Sequence, residues 1–391
     1  MTSVLRAVRL DEVAELNPTL AIPLENDESV SFIPMSAVTA ETASTSAGED
    51  RRYSTVSKGY TPFLNGDLLV AKITPCFENG KIAQARLARR VGFASTEFHV
   101  VRPRAGQADA RYLLYFLRQE RVRDEGARRM TGSAGQRRVP EHFLAGLQVP
   151  LPLLPEQRRI AEVLDRAEAL RAKRRAALAQ FDTLTQSIFL DMFGDPIANP
   201  KRWPVSKLPE LGTLDRGVSK HRPRNAQQLL GGPYPLVQTG DVANCDGYVR
   251  DYSATYSEVG LRQSRLWPVG TLCITIAANI AKTGILTFDA CFPDSVVGFR
   301  SSEPARVEFV RAWFSFVQQS IEASAPESAQ KNINLATLRG LDIPVPPIEL
   351  LRRFTVRIAA VQGLKAKQRA SAASLDALFA SLQHRAFRGE L

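Results

Sequence analysis

Residues 148–165 read QVPLPLLPEQRRIAEVLD and residues 342–359 read DIPVPPIELLRRFTVRIA, so a proline-studded extended segment is twice followed by a long amphipathic run, 194 residues apart. A chain that repeats itself across its length builds the same supersecondary parts twice, which limits the architecture before any single element is considered. The same offset carries Gln136-Arg137-Arg138-Val139 onto Gln330-Lys331-Asn332-Ile333 and Leu147, Pro150 and Pro152 onto Leu341, Pro344 and Pro346. Arg158-Arg159 likewise falls on Arg352-Arg353. Further upstream the offset grows to about 204, where NGDLLVAKITPCFENGKIA (65–83) resembles VGTLCITIAANIAKTGIL (269–286). Loop lengths differ between the halves, and the order of parts does not.

Each half begins with a mixed segment of strand-like, β-branched runs such as DLLVAKI and TLCITIA, punctuated by Asn-Gly, Thr-Gly, Pro and Asp. A short amphipathic helix follows, ARYLLYFLRQE in the first half and VEFVRAWFSFVQQS in the second. Then come a polar loop, the proline segment and a long helix. Tyr112, Tyr115, Trp313 and Phe316 sit at helical spacing and are expected in the core rather than on a base-stacking platform. At 391 residues the chain has room for two to three domains.

In the first long helix apolar residues recur at Ile160, Val163, Ala167, Leu170, Leu178, Phe181, Leu184, Ile188 and Met192. In the second they recur at Phe354, Ile358, Val361, Leu364, Ala372, Leu375, Leu378 and Leu382. Steps of three and four mark a coiled-coil seam with a period near 3.5. About 33 residues per helix correspond to roughly 50 Å. Arg174 and Gln368 interrupt the two seams at matching places. In an antiparallel pair they approach each other and set register; the alternative is that Arg174 reaches out to solvent. Pro152, Pro155, Pro344, Pro346 and Pro347 keep the preceding backbone extended, a stiff elbow before each helix. Gly194 and Pro196 in MFGDP stop the first helix.

The net charge of +11 and a pI near 9.7 favour a polyanionic partner, nucleic acid or an anionic membrane surface. Cys76, Cys245, Cys273 and Cys291 form no CxxC pair, and His99, His142, His221 and His384 form no HxxxH group, so neither structural zinc nor a disulfide framework is expected. No run approaches ~18 apolar residues and MTSVLRAVRLDEV lacks a signal-like apolar region, which predicts a cytoplasmic protein.

Together these features resemble the DNA-specificity subunit of type I restriction-modification systems, over essentially the whole chain. The residues that carry the resemblance are Val149 to Gln157 (VPLPLLPEQ), Ile343 to Glu349 (IPVPPIE), MFGDP and the terminal AFRGEL; the second elbow departs from the pattern, with Leu350-Leu351 where Glu-Gln is usual. The resemblance implies an α+β fold: two mixed α/β target-recognition domains joined and separated by a two-helix antiparallel coiled coil, with an internal pseudo-twofold repeat. The expected segments are residues 1–152 and 195–346 as recognition domains, and 153–194 and 347–391 as spacer helices. It further implies that the chain is not catalytic and binds no cofactor itself. Its partners would be double-stranded DNA, two adenine-N6 methyltransferase subunits that use S-adenosylmethionine, and restriction/translocase subunits that use ATP and magnesium.

Candidate DNA-binding residues in the first half are Arg128, Arg129, Gln136, Arg137 and Arg138 in the segment RQERVRDEGARRMTGSAGQRR, whose bland alternative is a solvated basic helix end. Gln330, Lys331 and Asn332 are their counterparts. The turns TPCFENGK and ANIAKTG add Lys72, Asn79, Lys81, Asn279 and Lys282, although Asn79-Gly80 reads equally as a type I′ turn without a ligand. RGVSKHRPR concentrates Arg216, Lys220, Arg222 and Arg224 in one loop. The spacer seam is assigned to Ile160, Leu170, Arg174, Phe181 and Ile188 with Phe354, Leu364, Gln368, Leu375 and Leu382.

No phosphate loop, glycine-rich cofactor fingerprint or NPPY-like tetrapeptide is present; Asn199-Pro200-Lys201 is the nearest approach to the last. Gln238-Thr239-Gly240-Asp241 resembles a feature of the family after its first strand, and its Asp reads as a turn residue. Three readings compete: a non-catalytic specificity subunit, an enzyme acting alone on DNA, and a two-headed coiled-coil scaffold with nonspecific nucleic-acid binding. The enzyme would need a domain for which two repeats leave no space.

Overall fold

The computed structural model describes residues 6–46, 48–133, 135–323 and 332–391. Chain contacts gather into two units, Met1–Ala177 with Gln368–Leu391, and Leu178–Lys367.

In the first unit the run Leu68–Ala71 is buried at every residue because it lies inside a sheet, antiparallel to Phe98–Pro103 on one side and Ile82–Gln84 on the other. That six-stranded sheet continues outward to Ala14–Leu16 at one edge and to Ser44–Thr45 and Val38–Thr39 at the other. A four-stranded sheet of Glu49–Arg52, Ser29–Ile33, Val91–Ser95 and Tyr60–Leu64 completes the head. The second unit repeats the plan. Leu272–Thr275, again buried throughout, lies antiparallel to Val296–Arg300 and Thr283–Leu286, and a four-stranded sheet is built around Leu230–Leu236.

The helix expected at ARYLLYFLRQE forms over Ala110–Leu117, and a second helix, Glu120–Arg128, follows it after a break. Asp109 caps the first by accepting from the Tyr112 N–H at 3.0 Å. The break has a local cause: Gln119 takes an extended backbone conformation and its buried amide donates to the Phe116 carbonyl at 3.2 Å. The counterpart in the second unit is one 20-residue helix, Pro304–Ala323. Tyr112, Tyr115 and Trp313 are buried and Phe316 packs against the core, as their spacing predicts.

Each elbow pairs with the first strand of its own unit, Gln148–Pro150 with Ala7–Arg9 and Asp342–Pro344 with Val205–Lys207. The long helices that follow, Leu154–Phe193 and Ile348–Ala386, have 40 and 39 residues, longer than the seam alone predicts. They start inside the elbows, because Pro155 occupies the first turn, where no backbone donor is needed, and Pro347 directly precedes Ile348. Gly194, at φ 80°, ends the first helix by donating to the Leu190 carbonyl at 2.8 Å.

The Leu350-Leu351 departure has a structural reason. Gln157, wholly buried, accepts from the Asp109 N–H at 2.8 Å and donates to the Gln107 and Pro152 carbonyls at 3.0 and 2.9 Å, so it ties the elbow to the loop before the short helix. Its counterpart Leu351 is 1% exposed within the apolar core of the second unit, and Leu350 packs against that core. One elbow is latched by hydrogen bonds and the other by apolar burial. Replacing Gln157 by Ala removes the side-chain partner of three part-buried backbone groups, and we expect a loss of about 1–3 kcal/mol in urea unfolding; an unchanged midpoint would refute the latch.

The long helices run antiparallel within each unit, and their middle is polar. In the first unit Arg174 donates to the Gln368 side-chain oxygen, and Arg171 meets Asp376 at 2.6 Å and Glu168 at 2.5 Å. In the second, Lys365 is 4% exposed and meets Asp182 at 2.5 Å and Asp246 at 2.7 Å. The seam expected from apolar spacing is therefore displaced at Leu170 and Leu364, which are 52% and 51% exposed. Paired charges hold the inner positions beside them, a local arrangement that counting apolar residues does not register. Ile160 and Phe354 are buried, while Phe181, Leu375 and Leu382 are half-buried. Ile188 is half-buried, and its neighbour Phe189 occupies the core.

Candidate nucleic-acid interface

In the first unit the backbone of Lys72 and Ile73 leaves the central strand and pairs with the far end of the basic loop. The Val139 N–H donates to the Lys72 carbonyl at 2.8 Å, and Ile73 bridges Arg138. Thr131 and Arg138 close the loop through reciprocal backbone bonds of 3.0 and 2.8 Å, leaving Gln136 and Arg137 exposed on it. Arg138 is not free. Its guanidinium holds Glu97 through two bonds of 2.9 and 2.8 Å and the Gln136 carbonyl at 2.9 Å. Arg128, at the end of the Glu120–Arg128 helix, is exposed; Arg129 pairs with Glu125 at 2.8 Å and lies near the Phe143 ring.

Lys72 is half-buried and its charge reaches Glu97, whose carboxyl is held below the usual range mainly by its hydrogen bonds from Arg138. Asn79 is exposed, whereas Lys81 donates to the Met35 carbonyl at 3.0 Å. The alternative reading of Asn79-Gly80 as a type I′ turn fails: Asn79 lacks the positive φ it requires, and residues 74–80 coil through bonds such as Phe77 N–H to the Ile73 carbonyl, 3.1 Å, and Asn79 N–H to the Pro75 carbonyl, 3.0 Å.

The second unit repeats this geometry with other residues. The Ile333 N–H donates to the Ile276 carbonyl at 3.0 Å and Ala277 bridges Asn332, so the loop returns beside the central strand as in the first unit. Asn279, Lys282 and Asn332 are exposed, and Lys282 lines a cavity of about 300 Å³ with Asp182, Asp246 and Arg311. Gln330 and Lys331 lie outside the described residues.

Lys220, Arg222 and Arg224 are exposed on their loop. Arg222 donates to the Ser219 and His221 carbonyls at 2.6 and 2.9 Å and reaches Asp294 at 3.4 Å; Arg224 also pairs with Asp294, and Arg216 donates to the Asp294 carbonyl at 2.5 Å. Asp241, expected in a turn, lies instead in the first turn of a short helix, Thr239–Ala243, where its carboxylate accepts from the Gln238 N–H at 2.8 Å and caps the helix start.

Sequence reasoning missed the acids. Glu97 and Asp294 organise the arginines, yet a single acid in a turn has no pattern to reveal it. His99 was likewise invisible: it is 6% exposed, with one ring nitrogen 2.9 Å from the Val139 carbonyl and the other 3.2 Å from the Asn17 amide. Burial pushes its imidazole below the usual histidine range, and the Lys72 charge adds to this. The unfolded chain therefore binds that proton at higher pH than the folded one. Stability contributed by neutral His99 is whole above pH ~6.5 and falls as pH drops toward the lowered folded-state value. Urea midpoints at pH 7.5 and 5.5 should differ more in the native chain than in His99→Gln; equal differences would remove His99 from the account.

The family model of the type I restriction modification DNA specificity domain matches residues 5–180 and 200–378. The chain is 40% identical over 152 residues to the type I restriction enzyme EcoAI specificity subunit of Escherichia coli, covering 39% of this chain and 26% of that one. It is 37% identical over 154 residues to the EcoEI specificity subunit of Escherichia coli, again 39% and 26%. The chain thus spans about a quarter of the length of these relatives. A chain from a structure described as the structural basis of complex assembly and conformational transition of the type I R-M system shares the fold, with a TM-score of 0.59 at 19% identity over 99% of this chain and 98% of that one.

Proposed function

The chain belongs to the family of the type I restriction-modification DNA specificity domain, and from that premise we propose that it is the sequence-specific DNA-binding subunit of such a system. Each recognition unit reads one half of a bipartite, asymmetric duplex site.

One observation carries this reading: a chain of net charge +11 brings a polar segment back beside the end of the central strand at the same place in both units, at Arg138-Val139 and at Asn332-Ile333, with different side chains in each. The first offers Gln136 and Arg137 beside Arg128, and the second offers Asn332 beside Asn279 and Lys282, with Lys220, Arg222 and Arg224 on a separate loop. Arg and Lys neutralise phosphates and read guanine, while Asn and Gln read adenine, so two differently equipped units suit two different half-sites. A scaffold with nonspecific binding accounts for the charge but gives no reason for this difference.

In this reading the chain itself carries out no chemistry and binds no cofactor. Methyl transfer from S-adenosylmethionine to adenine belongs to two methyltransferase subunits, and ATP and magnesium serve restriction/translocase subunits. Two copies of one partner fit the exposed leucines, which recur at the repeat offset: Leu170 and Leu378 in the first unit, Leu364 and Leu184 in the second, 43–52% exposed. We place the protein in the cytoplasm with its DNA; no described helix is long and apolar enough to cross a membrane.

Two measurements test the proposal. Duplex binding should weaken steeply with salt, and sequencing N6-methyladenine in DNA of a host carrying the system should give one interrupted, asymmetric motif. Salt-independent binding, or methylation without a motif, would sink it. Because the long helices act as a ruler, inserting four residues into both should lengthen the unspecified gap by about two base pairs, since ~6 Å of helix matches ~3.4 Å per pair. An unchanged gap would exclude the ruler.

A further inference from the structure

Both units place an acid on the same turn of the repeat. In the first unit the Lys72 N–H donates to the Glu97 carbonyl at 2.9 Å; in the second the Ile276 N–H donates to the Ser295 carbonyl at 3.0 Å, and Asp294 immediately precedes Ser295. Each acid holds arginine of its own unit, Glu97 one side chain and Asp294 two. Glu97 holds Arg138, which closes the loop carrying Gln136 and Arg137. Asp294 holds Arg222 and Arg224 with its carboxylate, and its carbonyl takes Arg216.

The second loop is seated on this turn by close backbone contact. The Gly217 N–H donates to the Val296 carbonyl at 2.8 Å, and a Cβ at Gly217 would lie 2.3 Å from the Pro293 carbonyl oxygen, so any larger residue lifts the loop off.

These acids are unexpected on a surface that meets phosphate, where a carboxylate repels the ligand. Ion pairs this exposed add little to stability: Arg138, Arg222 and Arg224 have side chains 40%, 55% and 46% exposed. Their value lies in orientation. Arg138 lays one edge on Glu97, Arg224 brings one nitrogen to Asp294, and Arg222 is held by the Ser219 and His221 carbonyls with Asp294 at 3.4 Å; a guanidinium held in a set plane meets the geometry that bidentate reading of a base edge requires. Without the acid Arg138 or Arg224 swings to the nearest phosphate and gains affinity without discrimination.

We propose that Glu97 and Asp294 are positioning residues for DNA recognition, each setting the sequence discrimination of its own unit by restraining that unit's arginines. The proposal rests on the DNA-specificity reading above. Asp294→Asn and Glu97→Gln keep the side-chain size and remove the charge.

The full chain, assembled with its methyltransferase partner, is given a pool of randomised duplexes, and the selected sequences are read. Asp294→Asn should lose preference in one half-site only and Glu97→Gln in the other only. On random duplex each variant should bind several-fold tighter at low salt, with the logarithmic salt dependence steeper by about 1, and with an unchanged thermal midpoint.

Selected sequences identical to those of the native chain would overturn the proposal, as would blurring of both half-sites by either variant. A uniform loss of binding with a lowered midpoint would assign the acids a structural role instead. A native chain that selects no sequence would defeat the DNA-specificity reading itself, an outcome distinct from all of these.

Discussion

The core of each unit is closed by an aromatic residue at the end of, or just past, the long helix that the other half of the sequence begins. In the first unit Phe387 packs 5.0 Å from the Tyr112 ring and 5.6 Å from Phe116. In the second Phe193 packs 5.0 Å from Phe309 and 5.1 Å from Phe354, with Phe189 beside it. Phe193 and Phe387 are 194 residues apart, so the exchange is built into the repeat. Neither short helix could bury its aromatic face without this far end. Burial of a whole aromatic side chain is worth roughly 1.5–3 kcal/mol, so the helix ends are anchored far more firmly than their polar middles.

That anchoring explains why the middles can be polar. With both ends held by apolar packing, the central turns contribute pairing rather than bulk burial, and Arg171, Arg174 and Gln368 or Lys365, Asp182 and Asp246 supply it. Buried and half-buried charges specify partners because an unpaired one is costly. They also leave Leu170 and Leu378 in the first unit, and Leu184 and Leu364 in the second, exposed to solvent.

Much of the plan was legible in the residues. Alternation and buried runs located Leu68–Ala71 and Leu272–Thr275, Gly194 marked the end of the first long helix, and the offset of 194 paired Arg174 with Gln368. The basic loops were legible as charge. Their restraint was not, because Glu97 lies 41 residues from Arg138 and Asp294 lies 70 from Arg224. The second helix, Glu120–Arg128, was hidden for a different reason: the break before it rests on a single buried amide bonded to the Phe116 carbonyl.

The sequence by itself determined the repeat, the elbows, the long helices and the excess of positive charge, because periodicity, proline and net charge act locally or by summation. Only the tertiary structure decided which helix face is buried at the middle, which arginines are held and by what, and why Gln157 has no counterpart at Leu351. Each of those outcomes depends on which groups meet across long stretches of chain. Pairing energies and desolvation are properties of such meetings, and no residue carries them alone.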